Sequence, residues 1–153
     1  IAQTRQLAQG LLLAHIEPAR LASELEELCA TLRQQFPALQ IDARIEPTTA
    51  LPDGHAAAQI YRLVQEALRN ACRHSGGRCV YVQVIDHPRS LEFSIEDDGI
   101  GLPAHQRSPG MGLRIMQHRA DHIGARLELT AREGGGTRVH CIVPYSAPSR
   151  PLA

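Results

Sequence analysis

Residues 79–97, CVYVQVIDHPRSLEFSIED, hold two β-rich runs separated only by His87-Pro88-Arg89. That spacing predicts a hairpin. ARLELTA and TRVHCIVP, joined by the turn REGGG, predict a second one further on. The helical patterns lie outside these pairs. Pro18 suits the first turn of a helix. Leu21, Leu25, Leu28, Leu32 and Phe36 then recur three and four residues apart, and Pro37 ends the run. LQIDARIE, 39–46, alternates as one half-buried strand. A long helix is expected from Ala56 to about His74, with Ile60, Leu63, Val64, Ala67, Leu68 and Ala71 on its buried side and SGG closing it. A last helix runs from about Gly112 to Ile123, ended by Gly124. This order implies an α+β fold: a two-layer sandwich in which a mixed, mostly antiparallel sheet of about five strands is covered on one face by about three helices. A doubly wound dinucleotide fold needs strictly alternating strands and helices, and it fails here.

The 153 residues suit one main domain, and with aromatics at 3% and no Trp its core must be aliphatic. Sixteen basic and sixteen acidic residues cancel. No basic patch dominates, so no nucleic-acid footprint is expected. Cys29, Cys72, Cys79 and Cys141 form no C-x-x-C pair, and they read as reduced, mostly buried thiols in a cytoplasmic setting. No apolar run approaches the ~20 residues of a membrane helix, and no signal peptide is evident. The chain opens at Ile1 in a helical pattern, which reads as a piece of a longer protein.

On the long helix, Glu66, Asn70 and His74 stand at i, i+4 and i+8 and share a face. Such a face is ordinarily just solvated. Asn, however, is a poor mid-helix residue, and no Lys or Arg partners the stripe. Magnesium accepts a neutral amide oxygen where phosphates bring the negative charge. An acid one turn away can order a water or take a proton.

Four of the glycines fall in two G-x-G pairs inside EDDGIGLPAHQRSPGMGL. Asp97-Asp98-Gly99-Ile100-Gly101 leaves a strand, where bare backbone lets a flat ligand approach. It also reads as an acidic turn. Gly110-Met111-Gly112-Leu113 opens a helix, whose free N–H groups suit phosphate. Neither G-x-G-x-x-G nor a P-loop ending is met.

Taken in order, the Asn-bearing helix, D-x-G-x-G, G-x-G-L and the late GGGT resemble the ATP-binding catalytic domain of sensor histidine kinases, the fold shared with gyrase-type ATPases. GMGLRIMQHRADHIGARLEL is most similar to the nitrate-sensor-like subclass. The resemblance covers roughly residues 50–145. It implies that residues 1–16 are the tail of a dimerisation helix, 17–145 the catalytic domain and 146–153 a flexible tail. It implies Mg²⁺ at Asn70, a base or polarising group at Glu66, and phosphate or nucleotide contacts from Arg73 and His74. Asp97, with Gly99 and Gly101, would read the adenine amino group. Gly110, Gly112 and Leu113 would cradle phosphates, and Thr137 would help hold adenine. Residues 102–109 would form a short lid without the phenylalanine box, with Arg107 and His105 as candidate phosphate contacts.

Family phosphoacceptor histidines are usually followed by an acid, and none of the eight here is. The acceptor is therefore expected on a separate dimerisation domain, and the onward partner is a response regulator receiver domain. The parent would be a homodimeric sensor, membrane-bound at the inner membrane, and this piece alone a monomer. Other readings are an ATPase, an anti-sigma-type serine kinase of the same fold, or a non-catalytic binding module. His118 and His122 have the spacing of a zinc pair, but Arg119 stands where the motif needs Glu and no third ligand is evident.

Overall fold

A computed structural model describes residues 14–48, 50–101 and 111–145. The expectations for the first helical segment, the lid, Gly110 and the tail lie outside these residues. Among the described residues there are three α-helices and five strands. A 3-10 turn, Pro18–Arg20, leads into α1 (Leu21–Gln35), followed by β1 (Gln40–Ile45), α2 (Gly54–His74), β2 (Cys79–Asp86), β3 (Ser90–Asp97), α3 (Met111–His122), β4 (Arg126–Ala131) and β5 (Thr137–Pro144). The sheet order is β1-β2-β3-β5-β4. Only the β1–β2 pair is parallel, as a helical crossover between them permits; tight turns join β2 to β3 and β4 to β5, and β3 pairs β5 antiparallel across a longer connection.

Period-two alternation puts Val80, Val82 and Val84, then Leu91, Phe93 and Ile95, then Val139, Cys141 and Val143 on one face, all buried. α1 lies on β1, α2 on β3 and α3 on β4, all against that face. α2 begins two residues earlier than the sequence pattern suggests, because Asp53 caps it, its side chain accepting from Ala56 N at 2.8 Å. The chain enters this layer through Ile16, which is buried in the core and donates its N–H to Gly54 O at 3.0 Å. Arg33 Nε donates to Ile41 O at 2.9 Å and ties α1 to β1. All four cysteines are free, and burial pushes the Cys29 thiol to about 11 and Cys141 to about 12. Among the described residues no helix is long and apolar enough to cross a membrane.

Candidate active site

α2 carries its polar stripe along the edge of the helix layer, and α3 starts beside it. The last core-facing position of β3 is Asp97. The β3–β5 ladder runs to Glu96↔Arg138, so the same register sets Asp97 opposite Thr137 on the covered face. The two side chains thus meet at the end of the sheet, under α2.

The turn before Thr137 makes this approach possible. Gly136 has φ +102, and a Cβ there would overlap the carbonyl of Asp97. GGGT therefore reads as a docking edge that sets Thr137 beside Asp97. The three glycines also supply the positive φ values of the turn.

Between these elements lies a cleft of ≈ 530 Å³. Glu66, Asn70 and His74 line one wall, and Asp97 and Thr137 the floor. Gly101, Gly112 and Leu113 close it from the loop side. The remaining lining is apolar, chiefly Ile95, Met116, Leu129 and Val139, with Ser75 and Ile100 at the rim. An apolar slot with a few convergent polar groups is the usual form of a small-molecule site.

Asp97 is 7% exposed, yet its carboxylate makes only a local bond, Oδ1 accepting from Gly99 N at 3.0 Å. No donor reaches Oδ2 among the described residues. A carboxylate oxygen that opens onto a cleft in a mostly buried residue, with no protein donor, is one that a ligand can satisfy. At the other wall, a Cβ on Gly112 would come to 2.8 Å from Glu66 Oε1 and 3.5 Å from Asn70 Nδ2. The backbone entering α3 therefore passes tightly against the Glu66 carboxylate and within ordinary contact of the Asn70 amide. The carboxylate and the amide form a small oxygen-bearing cradle that a side chain there would fill, a donor set suited to magnesium.

Two expected site residues stand elsewhere. Arg73 is exposed in the last turn of α2 and does not line the cleft. Gly99 does not line the cleft either. A Cβ there would overlap Ser75 O, and Ile100 N donates to that same carbonyl at 2.8 Å. Gly99 is bare so that the loop can pack on the end of α2. Gly110 lies outside the described residues.

Asp98 is an exposed acid with a structural role. Its Oδ1 accepts from Arg78 N at 2.8 Å and Cys79 N at 2.9 Å. These backbone donors hold its carboxyl below the usual range. Asp98 thereby pins the start of β2 to the loop that carries Gly101. The apolar lining was missed as such, because cleft-lining and core residues share one periodicity.

The sequence profile of the histidine kinase-, DNA gyrase B- and HSP90-like ATPases matches residues 55–147. A sensor protein NarQ homolog of Haemophilus influenzae is 30% identical over 147 residues, covering 95% of this chain and 26% of that protein. The nitrate/nitrite sensor protein NarX of Escherichia coli is 31% identical over 140 residues, covering 90% of this chain and 23% of its own length. The chain thus spans about a quarter of these relatives. The blue-light activated histidine kinase of Erythrobacter litoralis superposes with a TM-score of 0.71 at 26% identity, over 82% of this chain and 42% of that one. Profile, relatives and superposition agree with the cleft and its order of motifs: the chain belongs to the histidine kinase-, DNA gyrase B- and HSP90-like ATPase family, on the branch of the nitrate-sensor-like histidine kinases.

Proposed function

We propose that the cleft binds Mg²⁺-ATP and that the domain transfers the γ-phosphoryl group to a histidine on a separate dimerisation domain, from which it passes to an aspartate of a response regulator. The observation that carries this reading is the convergence of Glu66 and Asn70 with Asp97 and Thr137 across one apolar slot. Adenine fits the slot between Ile95, Leu129 and Val139. Its amino group offers the hydrogen that Asp97 Oδ2 lacks. Guanine would present an oxygen there, and two facing acceptors cost about 1–3 kcal/mol, on the order of tenfold or more in affinity. Thr137 stands where its hydroxyl can reach the same ring edge.

Asn70 would hold magnesium through its amide oxygen, with His74 one turn on near the phosphates. The ion, when bound, neutralises and orients the phosphate oxygens. Glu66 lies beside Gly112, where the chain turns into α3. It is placed to accept the proton of an attacking imidazole or to order a water. The P–O bond to ADP breaks as the P–N bond to the imidazole forms. Most of the catalysis comes from holding these partners in line.

Titration calorimetry with ATP tests the reading. Magnesium-dependent binding is expected in the wild-type domain, with a loss of about tenfold or more in Asn70→Ala. With radiolabelled ATP, the domain alone stays unlabelled and a dimerisation domain supplied in trans becomes labelled. Stable phosphohistidine on this domain, or ATP binding indifferent to both magnesium and Asn70, would refute it.

A further inference from the structure

Helix α3 has a second face. Gly112, Leu113 and Met116 look into the cleft. On its back, Arg114, Ile115, His118 and Arg119 line a separate groove of ≈ 410 Å³ with His55 and Gln59 from the first turns of α2. His122 closes its end, its ring centroid 4.9 Å from that of His118. No carboxylate is among the described residues that line this space. Arg119 Nη1 donates at 3.0 Å to Gln59 Oε1, a neutral partner. Burial holds the Arg119 guanidinium below its ordinary pKa, and the nearby Arg62 pushes the same way against Glu66. Positive charge is thus gathered here over a neutral amide.

The chemistry of the occupant follows from what the groove offers. Two guanidinium groups oppose a metal dication, and among the described residues no three His, Cys, Asp or Glu side chains are arranged to hold one. A free phosphate would answer the charge. It would leave Ile115, 45% exposed between the cations, in water. A polypeptide segment with carboxylates flanking an apolar side chain answers both. We infer that this groove docks an acidic amphipathic helix of a partner protein, with carboxylates on Arg114 and Arg119 and an apolar side chain on Ile115. Charge complementarity directs the encounter, and contact with Ile115 fixes the register.

The inference does not depend on nucleotide binding, and its test reads the groove directly. The probe is a capped helical peptide of about 18 residues, long enough to hold its helix, with Glu on either side of a Leu stripe. Its comparators are the same peptide with Gln for Glu, and inorganic phosphate. Isotope-edited NMR of the whole domain follows the Ile115 methyl and His118 ring signals. The Glu peptide should shift both saturably, and the Gln peptide should bind about tenfold more weakly or less. Arg114→Glu, at an exposed position, should abolish the shifts while the rest of the spectrum stays native, and Ile115→Ser should weaken them. Equal binding of the two peptides would overturn the inference. So would full binding by Arg114→Glu, or phosphate displacing the peptide and moving the same signals.

Discussion

The two faces of the sheet solve opposite problems. The covered face is apolar from Val84 through Phe93 to Val143, and its polar residues Asp97 and Thr137 sit together at one end. The open face is mostly polar, with Ile85 and Ile142 among its few apolar residues, and its central charges are paired. Glu92 takes His87 Nε2 at 2.7 Å on one oxygen and His140 Nε2 at 2.6 Å on the other. Glu96 faces Arg132 at 3.1 Å and Arg138 at 3.2 Å, the second an ion pair without hydrogen-bond alignment. Arg132 also covers the ring of Tyr81 at 5.1 Å. A polar group that neighbours already satisfy keeps a surface soluble. Asp97 differs in lying within an apolar face at the mouth of a cleft, where a ligand can supply the donor its second oxygen lacks.

The sharpest way to break this contrast is to truncate an apolar side chain on each face. Phe93 is 1% exposed and Ile142 is 37% exposed. Phe93→Ala should cost about 3–5 kcal/mol in urea unfolding, enough to unfold much of the population of a marginally stable domain. Ile142→Ala should cost under about 1 kcal/mol. Equal losses would mean that the open face is packed against something in solution.

The next test exchanges charge for amide at the covered end. Asp97→Asn keeps an oxygen for Gly99 N but turns an amide group toward the ligand. ATP affinity should fall by about tenfold or more, and the preference over GTP should narrow. Stability should hold or rise, because a buried charge has been removed. Calorimetry with both nucleotides, beside thermal unfolding, separates these effects. A stability loss equal to the binding loss would make Asp97 a structural residue.

How much of this was legible in sequence depends on the range of each interaction. Hairpins declare themselves within twenty residues, so β2–β3 and β4–β5 were readable from alternation and the turns between them. The insertion of β5 between β3 and β4 is a pairing of distant segments and leaves no local mark. Asn70 stood out because Asn is a poor mid-helix residue and its stripe holds no Lys or Arg. Gly99 is ambiguous for a related reason. A glycine spared a side chain for packing on Ser75 looks the same in sequence as one spared for a ligand. The groove of His55, Gln59 and Arg119 joins residues 60 positions apart along the chain, and neither half is distinctive alone.

The smallest expected effect falls on the open face, at Glu92. Hydrogen bonds from His140 and then His87 hold its carboxyl below the usual glutamate range, against a desolvation that raises it. A depressed folded-state value means that the unfolded chain binds the proton more readily. The resulting stability is present above the ordinary glutamate value of about 4.3. It is lost as the pH falls through the lowered folded value. Glu92→Gln should therefore cost about 1 kcal/mol near pH 7, the scale of a partly exposed pair. The gap from wild type should close as unfolding is measured at successively lower pH, because the protonated glutamate and the glutamine are then alike. Across the β4–β5 ladder, Glu128 stands opposite His140 and is paired with Arg126 at 2.9 Å. It remains available to His140 in the variant, and this holds the loss near the low end. A gap that persists undiminished at pH 3 would show that Glu92 acts by packing rather than by charge, and the open face would then have to be read as structure, like the covered one.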